Sequence, residues 1–195
     1  MTLLTDDRRA ATAVPLTELL AERWSPRSFD AHAVLDDDTV TALLEAARWA
    51  PSASNHQPRR FVVARRGSAA FERITAALAS GNRPWAPAAS LYVVAIALTH
   101  DADGKPYRWA EYDTGQAVAA LTVQATAMGL GVHQMGGFDA AAIVAGFALP
   151  EHAVPVTVSA VGVPAPADRL PERYRARETA ERTRTPLGEL VLVRE

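Results

Sequence analysis

Arg23-Trp24-Ser25-Pro26-Arg27-Ser28-Phe29 is the stretch on which the reading of this chain turns. Two guanidiniums and two hydroxyls fall within it, held by a proline and bracketed by aromatics. Arginine forks and serine hydroxyls are the donors that a phosphate monoester or an anionic ring edge requires. The same residues also read as a basic turn that caps a preceding helix, because cations suit the negative end of the helix dipole. Taken alone, the stretch leaves both readings open.

On its N-terminal side, residues 1–14 read as a loose arm. Pro15 opens a helix with Leu16, Leu19 and Leu20 on one face, closing near Trp24. On its C-terminal side, Asp36 to Asp38 place acids at the start of a second helix, where Val40, Leu43, Leu44 and Ala47 repeat at i, i+3, i+4, i+7 until Pro51 stops it. The polar loop Ser52 to Pro58 leads into a strand-like run from Arg60 to Ala64. Ser68 then caps a third helix to about Ala79, ended by Ser80-Gly81-Asn82.

The most apolar run, Leu91 to Leu98, reads as a strand buried on both faces. Residues 99–112 read as a short polar loop, and Asp113 or Thr114 as the cap of an alanine-rich helix through Met128. Val132 to Phe138 is expected to be extended, Asp139 to cap a helix to Leu149, and Val154 to Val163 to alternate as a strand. The arginine-rich tail ends in Leu190-Val191-Leu192-Val193, too short a strand to stand alone, which must add to a sheet, its own or a partner's. Helices and strands alternate without a G-x-G-x-x-G turn or a P-loop, which excludes a Rossmann or NTPase reading. The expected organisation is the arm at 1–14 followed by a single α+β (mixed α/β) domain over 15–195.

Composition narrows the chemistry. A chain of 195 residues, 49% of them hydrophobic, is long enough for a sizeable core. Its net charge of -2 argues against a nucleic-acid platform, so an anion site has to be local. The absence of cysteine excludes disulfides, thiol catalysis and zinc–cysteine sites, and leaves redox chemistry to a bound cofactor. The five histidines show no metal-ligand spacing. No stretch has the length of a membrane span, and Met1 to Arg9 lacks the apolar segment of a signal peptide, so a soluble cytoplasmic protein is expected.

Besides Arg23, Ser25 and Arg27, three polar clusters and a glycine pair remain, each with an ordinary structural explanation of its own. Ser52 to Gln57 suits a loop of turn formers, Asn82 a helix C-cap, Arg182 and Arg184 a solvated surface, and Gly136-Gly137 a bulge. Their order along the chain is more specific. R-x-S-x-R-x-F after a first helix, A-P-S-A-S-N-H-Q-P-x-x-F after a second, and G-L-G-x-x-x-M-G-G-F-D late in the chain together resemble the nitroreductase family of FMN-dependent oxidoreductases. The likeness runs from about residue 16 to the end of the sequence.

The resemblance implies a nitroreductase-like fold, a central mixed but mainly antiparallel sheet flanked by helices, with a C-terminal extension reaching the partner subunit. It implies a homodimer with FMN at the interface and NADH or NADPH as electron donor. Arg23, with Trp24 and Ser25, would hold the ribityl phosphate together with Arg182 and Arg184, and Arg27 would reach the pyrimidine end of the flavin. Pro51, Ser52, Ala53, Asn55 and Gln57 would come from the other subunit. Asn82 would bond the ring's polar edge, and Gln134, Met135, Gly136 and Gly137 would run past the ring with the backbone N–H of Gly136 near N5.

The physics is compatible with these roles. A phosphate monoester carries about -1.5 to -2 charges at neutral pH. A cation about 4 Å away attracts one unit of charge by about 4 kcal/mol at an effective dielectric of 20, before desolvation. A guanidinium at the pyrimidine end, where reduced flavin gathers negative charge, favours hydride uptake, so the hydride step needs no side-chain acid or base.

The implied activity is ping-pong hydride transfer from NAD(P)H to nitroaromatics, quinones or related electrophiles. An FMN-dependent dehydrogenase or oxidase of a biosynthetic intermediate, or a non-catalytic flavin-binding protein, are the alternatives. Three features depart from the commoner family pattern: Arg59 where a tryptophan is frequent, Gly136 where an acid is frequent, and the brief 99–112 segment, which implies a more open cavity.

Overall fold

A computed structural model describes residues 8–195. The described part of the arm is tied down. Ala10 donates its backbone N–H to Ala21 at 2.9 Å, and the Arg8 guanidinium donates to the Ala180 carbonyl at 2.6 Å. Within the arm expected over 1–14 these two residues are thus anchored to the rest of the chain, while residues 1–7 lie outside the described ones.

The first helix, α1, is shorter than the leucine spacing suggests and spans Glu18–Glu22, because Pro15 to Thr17 stay extended ahead of it. α2 spans Asp37–Arg48, with the Asp36 carboxylate accepting the Thr39 N–H as its cap. α3 spans Ala69–Ala77, capped by Ser68, and α5 spans Ala140–Phe147, capped by Asp139, as their sequences suggest.

The strands are β1 (Arg59–Arg65), β2 (Leu91–Leu98), β3 (Gly131–Met135) and β4 (Ala153–Gly162). They form one sheet in the order β1-β2-β4-β3, and every pairing is antiparallel. Successive side chains of a strand face opposite sides, which explains why central β2 is apolar throughout. Tyr92, Val94 and Ile96 pack with Phe71, Ile74 and Ile143 of α3 and α5, whereas Leu91 and Val93 pack with Leu43 and Ala47 of α2. Leu121 and Ala125, from the long helix that follows β2, complete that second layer.

α4 spans Ala110–Ala127. It starts ahead of Asp113, so neither Asp113 nor Thr114 is its cap; both are buried within its opening turns. Alanines let α4 approach α2 closely. The buried hydroxyls of Thr114, Thr122 and Thr126 each donate to the carbonyl four residues earlier, which satisfies them inside the layer.

Beyond β4 the chain departs most from expectation. α6 (Glu172–Thr179) had no clear signal in the arginine-rich tail. The run expected as a last strand ends a short helix, α7 (Leu187–Leu190), and residues 191–195 form no strand. Among the described residues no strand pairs with Leu192 and Val193, which stay 93% and 74% exposed.

Candidate functional site

Arg23 serves as the C-cap of α1, its N–H bonding the Leu19 carbonyl. Its guanidinium meanwhile lies among other arginines. Burial, and then the charge of Arg184, pull the Arg23 pKa below its ordinary value. Burial lowers Arg182 as well, followed by the charges of Arg23, Arg184 and Arg8. Among the described residues no ion pair joins Arg23, Arg182 or Arg184 to a carboxylate. Like charges gathered without counter-charge store repulsion that a bound anion relieves.

Arg182 differs from the expectation in one respect. Its donors go to the carbonyls of Arg8, of Ala21 at 3.3 Å and of Arg23 at 2.8 Å. It therefore fastens the tail to the end of α1 and lends its charge from there. Trp24 stacks under the Arg8 guanidinium, 4.7 Å from the ring centroid, and Ser25 Oγ lies 3.4 Å from an Arg23 nitrogen.

The turn is seated on β3. A Cβ at Gly131 would lie 2.4 Å from the Pro26 ring, so only glycine allows the approach. His133 Nδ1 is 3.1 and 3.0 Å from the carbonyls of Ser25 and Pro26, and its ring packs on Trp85 at 4.5 Å. Burial, then the neighbouring Arg27 charge, push the His133 pKa down to about 4, against the two carbonyl bonds that raise it. The imidazole is thus neutral and donates its Nδ1 proton to the turn. Arg27 lies 6.0 Å over the Trp85 ring and 3.9 Å from Glu178.

Past β3, the Gly137 carbonyl accepts bonds from Ala79 N–H at 2.9 Å and from Asn82 Nδ2 at 3.1 Å. Asn82 therefore spends one donor on the glycine pair and caps no helix, since α3 ends with Leu78 as its cap. Gly136 is exposed, with open space where a Cβ would stand. Met135 is only 2% exposed and belongs to the core, and Gln134 turns its amide to Thr122 on α4 at 3.2 Å. Of this segment, the exposed glycines and Gln134, together with Asn82, are available to a ligand.

The Pro51 to Gln57 loop stands elsewhere, ahead of β1. Ser54, Asn55 and Gln57 all have left-handed backbones, with φ of 50°, 56° and 50°. Such non-glycine residues cost roughly 1 kcal/mol or more each and persist only where the surroundings hold them. Here the holders are Asp113, whose carboxylate accepts Ala53 N–H at 3.0 Å, and Ser52, whose Oγ accepts Gln57 N–H at 3.0 Å. Asn55 accepts from Gln57 Nε2 at 3.3 Å. Arg59 is buried behind the loop, donating to the Arg48 carbonyl at 2.5 Å while its second terminal nitrogen has no partner. Burial lowers its pKa and Asp113 partly restores it.

β1 and β3 are the two edges of the sheet, so these groups divide in two. Arg23, Arg27, Asn82, Gly136, Gly137, Arg182 and Arg184 gather on the β3 side. Pro51, Ser52, Ala53, Asn55 and Gln57 lead into β1, an edge strand three strand spacings or about 14 Å across the sheet from β3. A cleft of about 600 Å³ opens on that second side between His56, Arg60, His100 and Tyr107, with His56 stacked on Tyr107 at 4.6 Å. Glu178, His133 and Asp113 were not legible as site residues. Each acts through backbone groups distant in sequence, and Glu178 is one of two acids among the arginines of α6.

Comparison with known proteins agrees with this architecture. The pattern that defines the nitroreductase family matches residues 20–163, and the chain belongs to that family. A protein of Streptomyces coelicolor, provisionally named NADH dehydrogenase/NAD(P)H nitroreductase, is 31% identical over 161 residues, which cover 70% of this chain and 79% of that protein. A crystal structure described as an oxidoreductase containing FMN superposes with a TM-score of 0.89 at 32% identity, covering 97% of this chain and 96% of that one. A Desulfovibrio desulfuricans protein solved in complex with FMN, provisionally named nitroreductase, gives 0.76 at 25% identity over 94% and 99% of the two chains.

Proposed function

We propose that this chain is an FMN-dependent oxidoreductase that works as a homodimer in the cytoplasm. The observation that carries the reading is the group of half-buried Arg23 and Arg182 with exposed Arg184, gathered without a carboxylate ion pair among the described residues. That donor set and charge fit a phosphate dianion. The exposed glycine pair, with open space at Gly136, fits a planar ring passing close to the backbone.

In this reading Arg23 and Arg184 balance the phosphate while Arg182 holds them in place, with Trp24 and Ser25 beside them. Arg27 orients the pyrimidine end, Asn82 offers its remaining amide groups to the ring edge, and the Gly136 N–H is directed at N5. When bound, FMN would supply the atom that takes hydride from NADH or NADPH and delivers it to a nitroaromatic, a quinone or a related electrophile. Pro51, Ser52, Ala53, Asn55 and Gln57 lead into β1, the sheet edge opposite to β3 where the arginine turn is seated, which supports their delivery by a second copy. The exposed Leu187 to Val193 segment is the part of the chain suited to reach that copy.

The test is direct. The purified protein is expected to show a flavin absorbance spectrum, bleached by NADH or NADPH under anaerobic conditions and restored by a nitroaromatic or quinone. A protein that takes up no FMN overturns the whole reading. Bound flavin that neither nucleotide reduces removes the reductase part of it.

A further inference from the structure

The Arg23–Phe29 turn is held from the far end of the chain by one carboxylate. Glu178, in the last turn of α6, is 3% exposed. Its Oε1 accepts the backbone N–H groups of Arg27 and Ser28, both at 2.9 Å, and its Oε2 accepts that of Arg27 at 3.0 Å. Bonds from amides to a carboxylate are charge-assisted, and burial of the acid without them would be strongly unfavourable. The Arg27 guanidinium also lies 3.9 Å from Oε2, yet makes no hydrogen bond among the described residues. It is thus partly neutralised while its donors stay available. Four residues after Glu178, Arg182 clamps the Ala21 and Arg23 carbonyls. The segment from α6 onward grips the turn on both sides of Pro26.

We propose that Glu178 is a positioning residue of the cofactor site: it latches the Arg27–Ser28 backbone and offsets part of the Arg27 charge. It thereby lowers the electron affinity of the group held against Arg27. The redox half rests on the FMN reading above; the latch stands on the geometry alone. A fixed positive charge stabilises negative charge that develops on reduction, and a carboxylate beside that charge weakens its field.

Two variants separate the halves. In Glu178→Gln the amide oxygen can still accept both N–H bonds now made to Oε1, so the latch is largely kept while the negative charge is lost. Its FMN dissociation constant is expected to stay within about threefold of wild type, with the flavin midpoint potential moved to a more positive value. Glu178→Ala removes latch and charge together. Hydrogen exchange of the Arg27 and Ser28 amides is then expected to accelerate by about tenfold or more, and FMN binding to weaken by about tenfold, as for loss of a hydrogen bond to a charged group. An unchanged potential in Glu178→Gln overturns the charge role, and unchanged exchange in Glu178→Ala overturns the latch. Should Glu178→Ala fail to fold, Glu178→Asp, which pulls the carboxylate back by one methylene, reads the same exchange rates. A wild-type protein that takes up no FMN overturns the redox half together with the proposed function, while amide exchange still decides the latch.

Discussion

Arg23 and His133 carry the tests that belong to single residues. Arg23→Ala removes one cation of the phosphate group without touching the backbone bond that caps α1. A hydrogen bond to a charged group contributes about 1.5–3 kcal/mol, so FMN affinity is expected to fall roughly ten- to hundredfold with the circular dichroism unchanged. Flavin fluorescence titration checks this, and a variant that keeps wild-type affinity refutes the phosphate role. For His133 the folded pKa of about 4 lies below the ordinary 6.5, so the unfolded chain takes up the proton first. Its neutral form favours folding fully above about pH 6.5, and that contribution is lost as pH falls toward 4, by on the order of 3 kcal/mol. Urea unfolding at pH 7 and pH 5 is expected to show the loss, and His133→Gln to reduce it.

The element scale is where glycine separates seat from surface. Gly131 of β3 lets the Pro26 ring come within van der Waals reach, so Gly131→Ala has to push the turn off the sheet. Overpacking of this kind costs about 1–3 kcal/mol, and the displacement of Arg27 is expected to weaken FMN binding in the same variant. Gly136→Ala meets nothing within 4 Å and is expected to leave the thermal midpoint unchanged. Differential scanning of the two variants tests the contrast; equal destabilisation contradicts it. α4 has a similar double function. It packs the α2 layer with alanines and holds Ala53 through Asp113, so that three left-handed residues stay in place.

For the whole molecule, the arrangement of the half-sites argues for two copies. The arginines and the Pro51–Gln57 loop stand at opposite edges of a four-stranded sheet. The apolar side chains of Leu187, Leu190, Leu192 and Val193 are left open to solvent. Sedimentation velocity is expected to give a dimer, and removal of the residues after Pro186 to shift it toward monomer with loss of FMN. A folded, FMN-bound monomer would refute the shared site.

The sequence alone determined the elements whose causes are local. Asp36, Ser68 and Asp139 cap helices because a short acceptor there meets a free N–H, and Leu91 to Leu98 is central because every residue is apolar. The order of the motifs identified the family before any contact was known. Only the tertiary structure decided what depends on partners distant in the chain. Leu190 to Val193 looks like a strand by composition, but a strand needs a neighbour, and none pairs with it among the described residues. Arg182 shows only its charge in the sequence; that its guanidinium also bonds the carbonyls of Ala21 and Arg23 is a tertiary fact. Glu178 looks like one more charge on a polar helix until the fold brings it, across 151 residues, to the backbone of Arg27. Hydrogen bonds to main-chain groups carry no side-chain signature at the accepting or donating end, so no reading of residue types could have found them.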